Sequence, residues 1–275
     1  CPADTFYNVK GKFPIGFLIW DLNQKSEISK ITLDVFDEKS NFISNKTFYS
    51  FTKEKFISNW LRKYYDQKNK EIGYLILPGV DMQAQNGVYF TSEPTESDIK
   101  QHKLTKITKN NCTQMCIYLT IRQCIDATWI NDRDQFLYPT DGWQIDKEFQ
   151  NNCLAYALFH GQNRITNHDG INHWIPFTEQ EVNAKAKFES NFMTEFIKGK
   201  IKKEISNDTL FNDKTIEESK PLVFSDEATA VFDAGRELWK YYHSQNDVDI
   251  NVNASFYDIR AYFQGTNALG RMNAR

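Results

Sequence analysis

Apolar and polar positions follow two different rhythms along this chain, and the rhythm changes near its middle. Phe13-Pro-Ile-Gly-Phe-Leu-Ile-Trp20 is a continuous apolar run bounded by polar clusters, the pattern of a strand buried on both faces. Ile31-Thr-Leu-Asp-Val-Phe36 alternates, so it has one wet face, and the two segments together predict an antiparallel hairpin. A lone hairpin is marginal in water and needs something to pack on. Phe56, Ile57, Trp60, Leu61 and Tyr64 then recur at helical spacing within 52–66. Strands are expected over 71–78, 87–91 and 115–122.

Helical spacing dominates from residue 146 onward. Asp146 to His160 carries Phe149, Cys153, Leu154, Ala157 and Leu158 on one side, and Gly161 stops it. Thr178 and Glu181 have capping-box spacing, and the helix they open is expected to run on through Phe188, Phe192, Met193, Phe196 and Ile197. Ser225 can cap a helix with Ala228, Val231, Phe232, Leu238, Trp239 and Tyr242 on its apolar face. A last helix starts at Ser255 or Phe256 and ends at Gly265, while 201–220 reads as a linker. Strands first and helices later give an α+β (mixed) fold, divided as 1–40 (hairpin), 41–140 (mixed α/β) and 141–275 (mainly helical).

Composition adds limits more than identity. With 40% hydrophobic and 25% charged residues the chain can bury a core, which excludes a disordered or fibrous polypeptide. A net charge of -3 points to no partner class, so any basic surface is local. Five scattered cysteines in a chain of this size read as reduced thiols of a cytoplasmic protein, and no apolar run is long enough to span a membrane. A chain that opens with Cys1 is expected to be processed or cut from a longer polypeptide, with an acylated lipoprotein as the lesser alternative.

Several catalytic signatures are missing from the sequence. The twelve glycines contain no G-x-G pair, no P-loop and no G-x-S-x-G elbow. Cys112, Cys116 and Cys124 lack zinc-ligand spacing, and Cys116 and Cys124 fall in or beside an expected apolar strand, as structural thiols do. His160, His168, His173 and Asp169 straddle a helix end and a loop, where capping is the commoner role, so no metal site is assigned. Cys153 and His160 stand about two helical turns, roughly 10 Å, apart, too far for a nucleophile pair. No catalytic residue is assigned in this chain.

A binding vocabulary remains. Between Asp98 and Ile125 the bases Lys100, Lys103, Lys106, Lys109 and Arg122 face one acid, and the three-residue spacing of the lysines suits a helical face or loop tracking phosphates. Asn131, Arg133 and Gln135, and again Gln162, Asn163 and Arg164, are side chains that contact adenine and guanine edges. The plainer readings are a solvated charged face and turn-forming loops.

Asn151-Asn-Cys-Leu-Ala-Tyr-Ala-Leu-Phe-His-Gly-Gln-Asn-Arg164, Asn172-His-Trp-Ile-Pro-Phe177 and Thr178-Glu-Gln-Glu-Val-Asn-Ala-Lys185 resemble segments of type IIG restriction-modification proteins. So do Ala3-Asp-Thr-Phe-Tyr-Asn-Val-Lys-Gly-Lys-Phe-Pro-Ile-Gly-Phe17, Asn251 to Arg260, Phe263-Gln-Gly265 and Gly270-Arg-Met-Asn273. The resemblance covers most of the chain in patches and is weakest over about 40–110. These proteins join an endonuclease, an adenine-specific (N6) DNA methyltransferase and a target-recognition region in one polypeptide. The resemblance implies S-adenosylmethionine as cofactor of the intact protein, double-stranded DNA as partner, and base flipping into an aromatic pocket. Its cofactor loop and Asn/Asp-Pro-Pro-aromatic motif do not occur here. The expectation is therefore a carboxyl-side part: 1–40 would be the hairpin closing the methyltransferase sheet, with Phe6 or Tyr7 stacking on the flipped base, and 41–275 the recognition region. The upstream methyltransferase and endonuclease regions would be its partners. The alternative is a catalytically silent DNA-specificity or protein-interaction module, or a degenerate remnant of a restriction locus.

Overall fold

The computed structural model describes residues 2–10, 15–16, 21–23, 29–49, 57–77, 87–101, 104–124, 142–166, 171–201, 203–206, 214–217, 220–246 and 250–265. The fold is mixed α and β. After a single 3-10 turn at Ala3–Thr5, β1 (Lys30–Phe36) and β2 (Phe42–Tyr49) form a hairpin. Asp37 closes it: its Oδ1 accepts from the amides of Lys39 (2.9 Å) and Asn41 (2.8 Å), and Ser40 takes the left-handed φ of 63°. β1 thus pairs with the segment after the turn, a partner the sequence reading did not name. Most of 13–20 lies outside the described residues, and so does the start of the helix expected over 52–66. Five residues that satisfy their own turn keep the loop-closure cost of the β1–β2 pairing small.

The chain continues through α1 (Ile57–Arg62), β3 (Glu71–Ile76), β4 (Tyr89–Thr91), α2 (Glu96–Lys100), β5 (Leu104–Thr108) and α3 (Cys112–Gln123). Then come α4 (Lys147–Phe159), the two-residue β6 (Asn163–Arg164), α5 (Glu179–Val182) and α6 (Phe192–Ile197). A hairpin of β7 (Lys203–Ser206) and β8 (Lys214–Glu217) precedes α7 (Asp226–His243) and α8 (Phe256–Gln264).

Three departures from the sequence expectation have identifiable causes. The stretch 115–122 is helix, not strand: Cys112, Met115, Cys116 and Leu119 are buried at three- and four-residue steps. Ile117 and Tyr118 are buried too, and a helix covered nearly all round has the same unbroken apolar run as a buried strand. Thr178 and Glu181 do form a capping box, but the helix stops after four residues at Asn183, which adopts the left-handed φ of 56°. Phe192 and Phe196 therefore belong to a separate helix. The 201–220 stretch holds the β7–β8 hairpin where a linker was expected.

The central sheet has the order β5-β3-β4-β6, antiparallel except for the parallel β4–β6 pair. Adjacent residues Leu75 and Ile76 on β3 are both buried, so the sheet is covered on both faces there. One hydrophobic core runs from Ile57 to Ile259 and takes in Phe90, Met115, Leu154, Trp174, Phe177, Trp239 and Ile259, but no residue of the β1–β2 hairpin. Trp174 links the late part of the chain to the sheet: its indole N–H donates to the Ile72 carbonyl at 2.6 Å inside the core. Gly73 on the same strand leaves room for it, because an added Cβ would lie 2.7 Å from Ile165 and 3.4 Å from Trp174. Asn172 supports the turn, its side chain accepting from the Trp174 amide (2.8 Å) and donating to the Asn253 carbonyl (2.9 Å).

A Trp174→Phe substitution leaves the Ile72 carbonyl unpaired in the core and removes ring volume. It is expected to cost about 2–4 kcal/mol, read as a lower urea midpoint at unchanged slope.

Candidate functional site

The parallel β4–β6 pair carries the best-organised polar surface that the sequence pointed to. β6 is only two residues long, yet it is anchored from several sides. The Phe90 amide donates to the Gln162 carbonyl (2.9 Å), Ser92 and Thr166 share a hydroxyl hydrogen bond (2.7 Å), and the Thr166 amide donates to Ser92 (3.1 Å). The Ser255 hydroxyl at the start of α8 donates to the Ile165 carbonyl. Asn163 is buried, donating to the Leu158 carbonyl (3.3 Å) and accepting from the Ile165 amide (3.1 Å). Its amide is consumed by the backbone turn, which removes it from the base-reading set.

Arg164, next along, points outward. Its guanidinium lies over the Tyr89 ring at 4.1 Å and donates to Gln162 Oε1 at 2.7 Å. Burial, and then the negative charge of Asp98, push the Tyr89 hydroxyl above its ordinary value, so at neutral pH it is an intact phenol under the cation. An arginine held flat by a ring and a neighbouring amide loses less rotamer freedom when it engages a planar acceptor. The sequence identified Gln162 and Arg164. It missed Tyr89, which lies 75 positions upstream and has no local mark of its role.

The lysine series does not form one track. Lys100 is exposed at the end of α2 and pairs with Glu96 at 2.8 Å. Lys106 on β5 pairs with Glu71 at 3.0 Å, and that hydrogen bond holds the Glu71 carboxyl below its usual range. Lys109 lies in the turn before α3 and has its own partner. Arg122 is buried on α3 beside Tyr118, so it is withdrawn from phosphate contact. The three-residue spacing suited one helical face or a loop, but a helix end, a strand and a turn divide Lys100, Lys106 and Lys109. Lys103, Asn131, Arg133 and Gln135 lie outside the described residues. Phe6 and Tyr7 follow the first 3-10 turn, Tyr7 being 93% exposed.

Three of the thiols are shielded, while Cys124 at the end of α3 is exposed. Cys112 and Cys116 on α3 and Cys153 on α4 are buried, and burial pushes Cys116 well up and Cys153 up to about 12. Thr120 bridges the two helices there, with its hydroxyl within reach of the carbonyls of Cys116 (2.9 Å) and Cys153 (3.2 Å). His173 shares a hydrogen bond with Ser190 (2.8 Å), and His160 stacks on Tyr156 with centroids 4.7 Å apart. His168 and Asp169 lie outside the described residues. Among the described residues no group of three His, Cys, Asp or Glu could hold a metal ion, and no helix is long and apolar enough to cross a membrane.

No protein-family model, no curated protein and no solved structure matches this chain. The functional reading therefore stands on its residues and their geometry.

Two desolvated histidines, His243 buried and His160 half-buried, give a pH prediction. Desolvation lowers the pKa of His160, helped by the Arg260 charge, and that of His243, helped by Lys185. Between these lowered folded values and about 6.5 the unfolded chain binds more protons, so stability falls as pH drops below about 6.5. Partly buried Asp258, whose pKa desolvation raises, acts in the opposite sense. The histidine contribution is thus read from a difference: the urea midpoint of the parent should fall more between pH 7.5 and 5.5 than that of a His243→Phe variant.

Proposed function

We propose that this chain is the carboxyl-side part of a type IIG restriction-modification protein, an adenine-specific DNA methyltransferase, and that it supplies the end of the catalytic fold and recognition of double-stranded DNA. The sequence resemblance names the class. The observation that carries recognition is Arg164, held outward by Tyr89 and Gln162 on an anchored strand pair. A guanidinium so fixed suits bidentate contact with guanine O6 and N7. Phosphate contacts fall to the exposed lysines, above all Lys100, and stacking on a flipped base to Phe6 or Tyr7. The chain has neither the Gly-rich loop nor the Pro-Pro-aromatic motif, so S-adenosylmethionine and methyl transfer belong to upstream regions of the polypeptide.

A second reading, a protein-interaction module, is favoured by the β1–β2 hairpin. It exposes Phe36, Phe42, Ile43 and Phe48, and although Val35 is buried, none of its described residues belongs to the main core cluster.

Selection of bound duplexes from a random pool, followed by fluorescence anisotropy, tests the DNA reading. Arg164→Ala should weaken the enriched site by ~1–3 kcal/mol and leave unrelated duplexes almost unchanged. Affinity should fall as salt rises. Equal loss on every duplex would reassign Arg164 to phosphate, and no binding to any duplex would overturn DNA recognition.

A further inference from the structure

The end of α4 and the start of α7 enclose a cleft of about 370 Å³ that the DNA reading does not use. Clefts of roughly 300–1,000 Å³ are the size in which small molecules are bound. Its depth comes from two short side chains on the facing helices, Ala155 and Ala228. Phe159 forms one wall, and its ring is already fixed. Phe232 and Phe256 meet it edge-on at 5.3 and 5.7 Å, Trp239 does so at 6.3 Å, and Gly235 lacks a side chain where the ring passes. A flat apolar wall that is rigid beforehand lowers the ordering cost of a planar guest. Val231, one helical turn beyond Ala228, borders the same space.

The polar groups at the rim are also committed in direction. His160 Nδ1 accepts from the Gln162 amide at 3.2 Å, which leaves the proton of the neutral ring on Nε2, a donor. Asn152 Oδ1 accepts from the Ser225 amide at 3.2 Å, which leaves its NH2 group as a second donor. Glu227, hydrogen-bonded to Ser225, supplies an acceptor. Charge is balanced here: the positive end of α7 and Arg260 near His160 stand against Asp226 and Glu227 in the first turn of α7. Neither a carboxylate nor an ammonium group has a clear advantage over a neutral group that both donates and accepts.

We propose that this cleft binds a small planar aromatic or heteroaromatic molecule bearing a neutral carboxamide or lactam, its ring against Phe159 and Val231. The carbonyl faces the His160 and Asn152 donors, and the N–H faces Glu227. The site does not include Arg164 and meets it only through Gln162, whose backbone amide donates to His160 and whose side chain accepts from Arg164.

Benzamide, benzoate and benzylamine are the probes, added separately to the full chain and followed by saturation-transfer NMR and calorimetry. Benzamide should saturate one site and bind at least about tenfold more tightly than either charged analogue. Val231→Trp, at a half-exposed helix position, should fill the cleft and abolish binding. Ala228→Leu narrows it from the same helix and should act likewise. His160→Phe keeps a ring on Tyr156 but loses the donor, and should weaken benzamide about tenfold. Variants are compared once circular dichroism shows the parental fold. Absence of saturation by benzamide up to ~50 mM, equal or tighter binding of a charged analogue, or unchanged affinity in a folded cleft-filling variant would each overturn the proposal.

Discussion

The docking of residues 163–166 and 172–174 onto the sheet is the contact on which the rest of this fold depends. Two residues of β6 add to β4 in parallel, and Trp174 then crosses the covered sheet to donate its indole N–H to the Ile72 carbonyl. A two-residue ladder is weak in itself. It holds because neighbouring polar groups are satisfied around it: Asn163 by its own turn, Ser92 by Thr166, and the Ile165 carbonyl by Ser255 at the head of α8. Leaving any of these unpaired in the core costs more than making it gains, so the junction works as a unit. Gly73 is part of the same constraint, because a side chain there would collide with Ile165.

The surface chemistry follows from that junction. Arg164 reaches solvent because alternation along β6 turns it away from buried Asn163, and the parallel register puts β4, with Tyr89, beside it. Behind the sheet, the aromatic contacts of Phe159 with Phe232, Trp239 and Phe256 tie α4, α7 and α8 together. Among the described residues the phenylalanines are therefore mainly core packing. The phenylalanines of the β1–β2 hairpin are exposed outside that core, as are Phe6, Tyr7, Tyr65, Tyr241 and Tyr262.

Capping chemistry was legible in the sequence because it is local. Thr178 with Glu181, Ser225, and Ser255 before Phe256 all cap helices where expected. The length of a helix was less legible: Asn183 ends α5 through a left-handed turn, although the apolar spacing continues to Ile197. The segment 112–123 was misread because a helix buried on nearly every side loses its polar face, and with it the periodic signal. The lysine spacing misled for a related reason. A step of three residues means a shared face only within one helix, and here it crosses α2, β5 and a turn.

By itself the sequence determined the mixed α and β class, the strands β1, β3 and β4, most helix positions, the caps of α5, α7 and α8, and the candidacy of Gln162 and Arg164, because each depends on residues within a few positions of one another. The tertiary structure decided which candidates face outward, that Asn163 and Arg122 are buried, that Tyr89 lies beneath Arg164, and that a cleft opens between α4 and α7. Those outcomes depend on residues up to a hundred positions apart, and spacing along a chain carries no record of which distant backbone will close over a side chain.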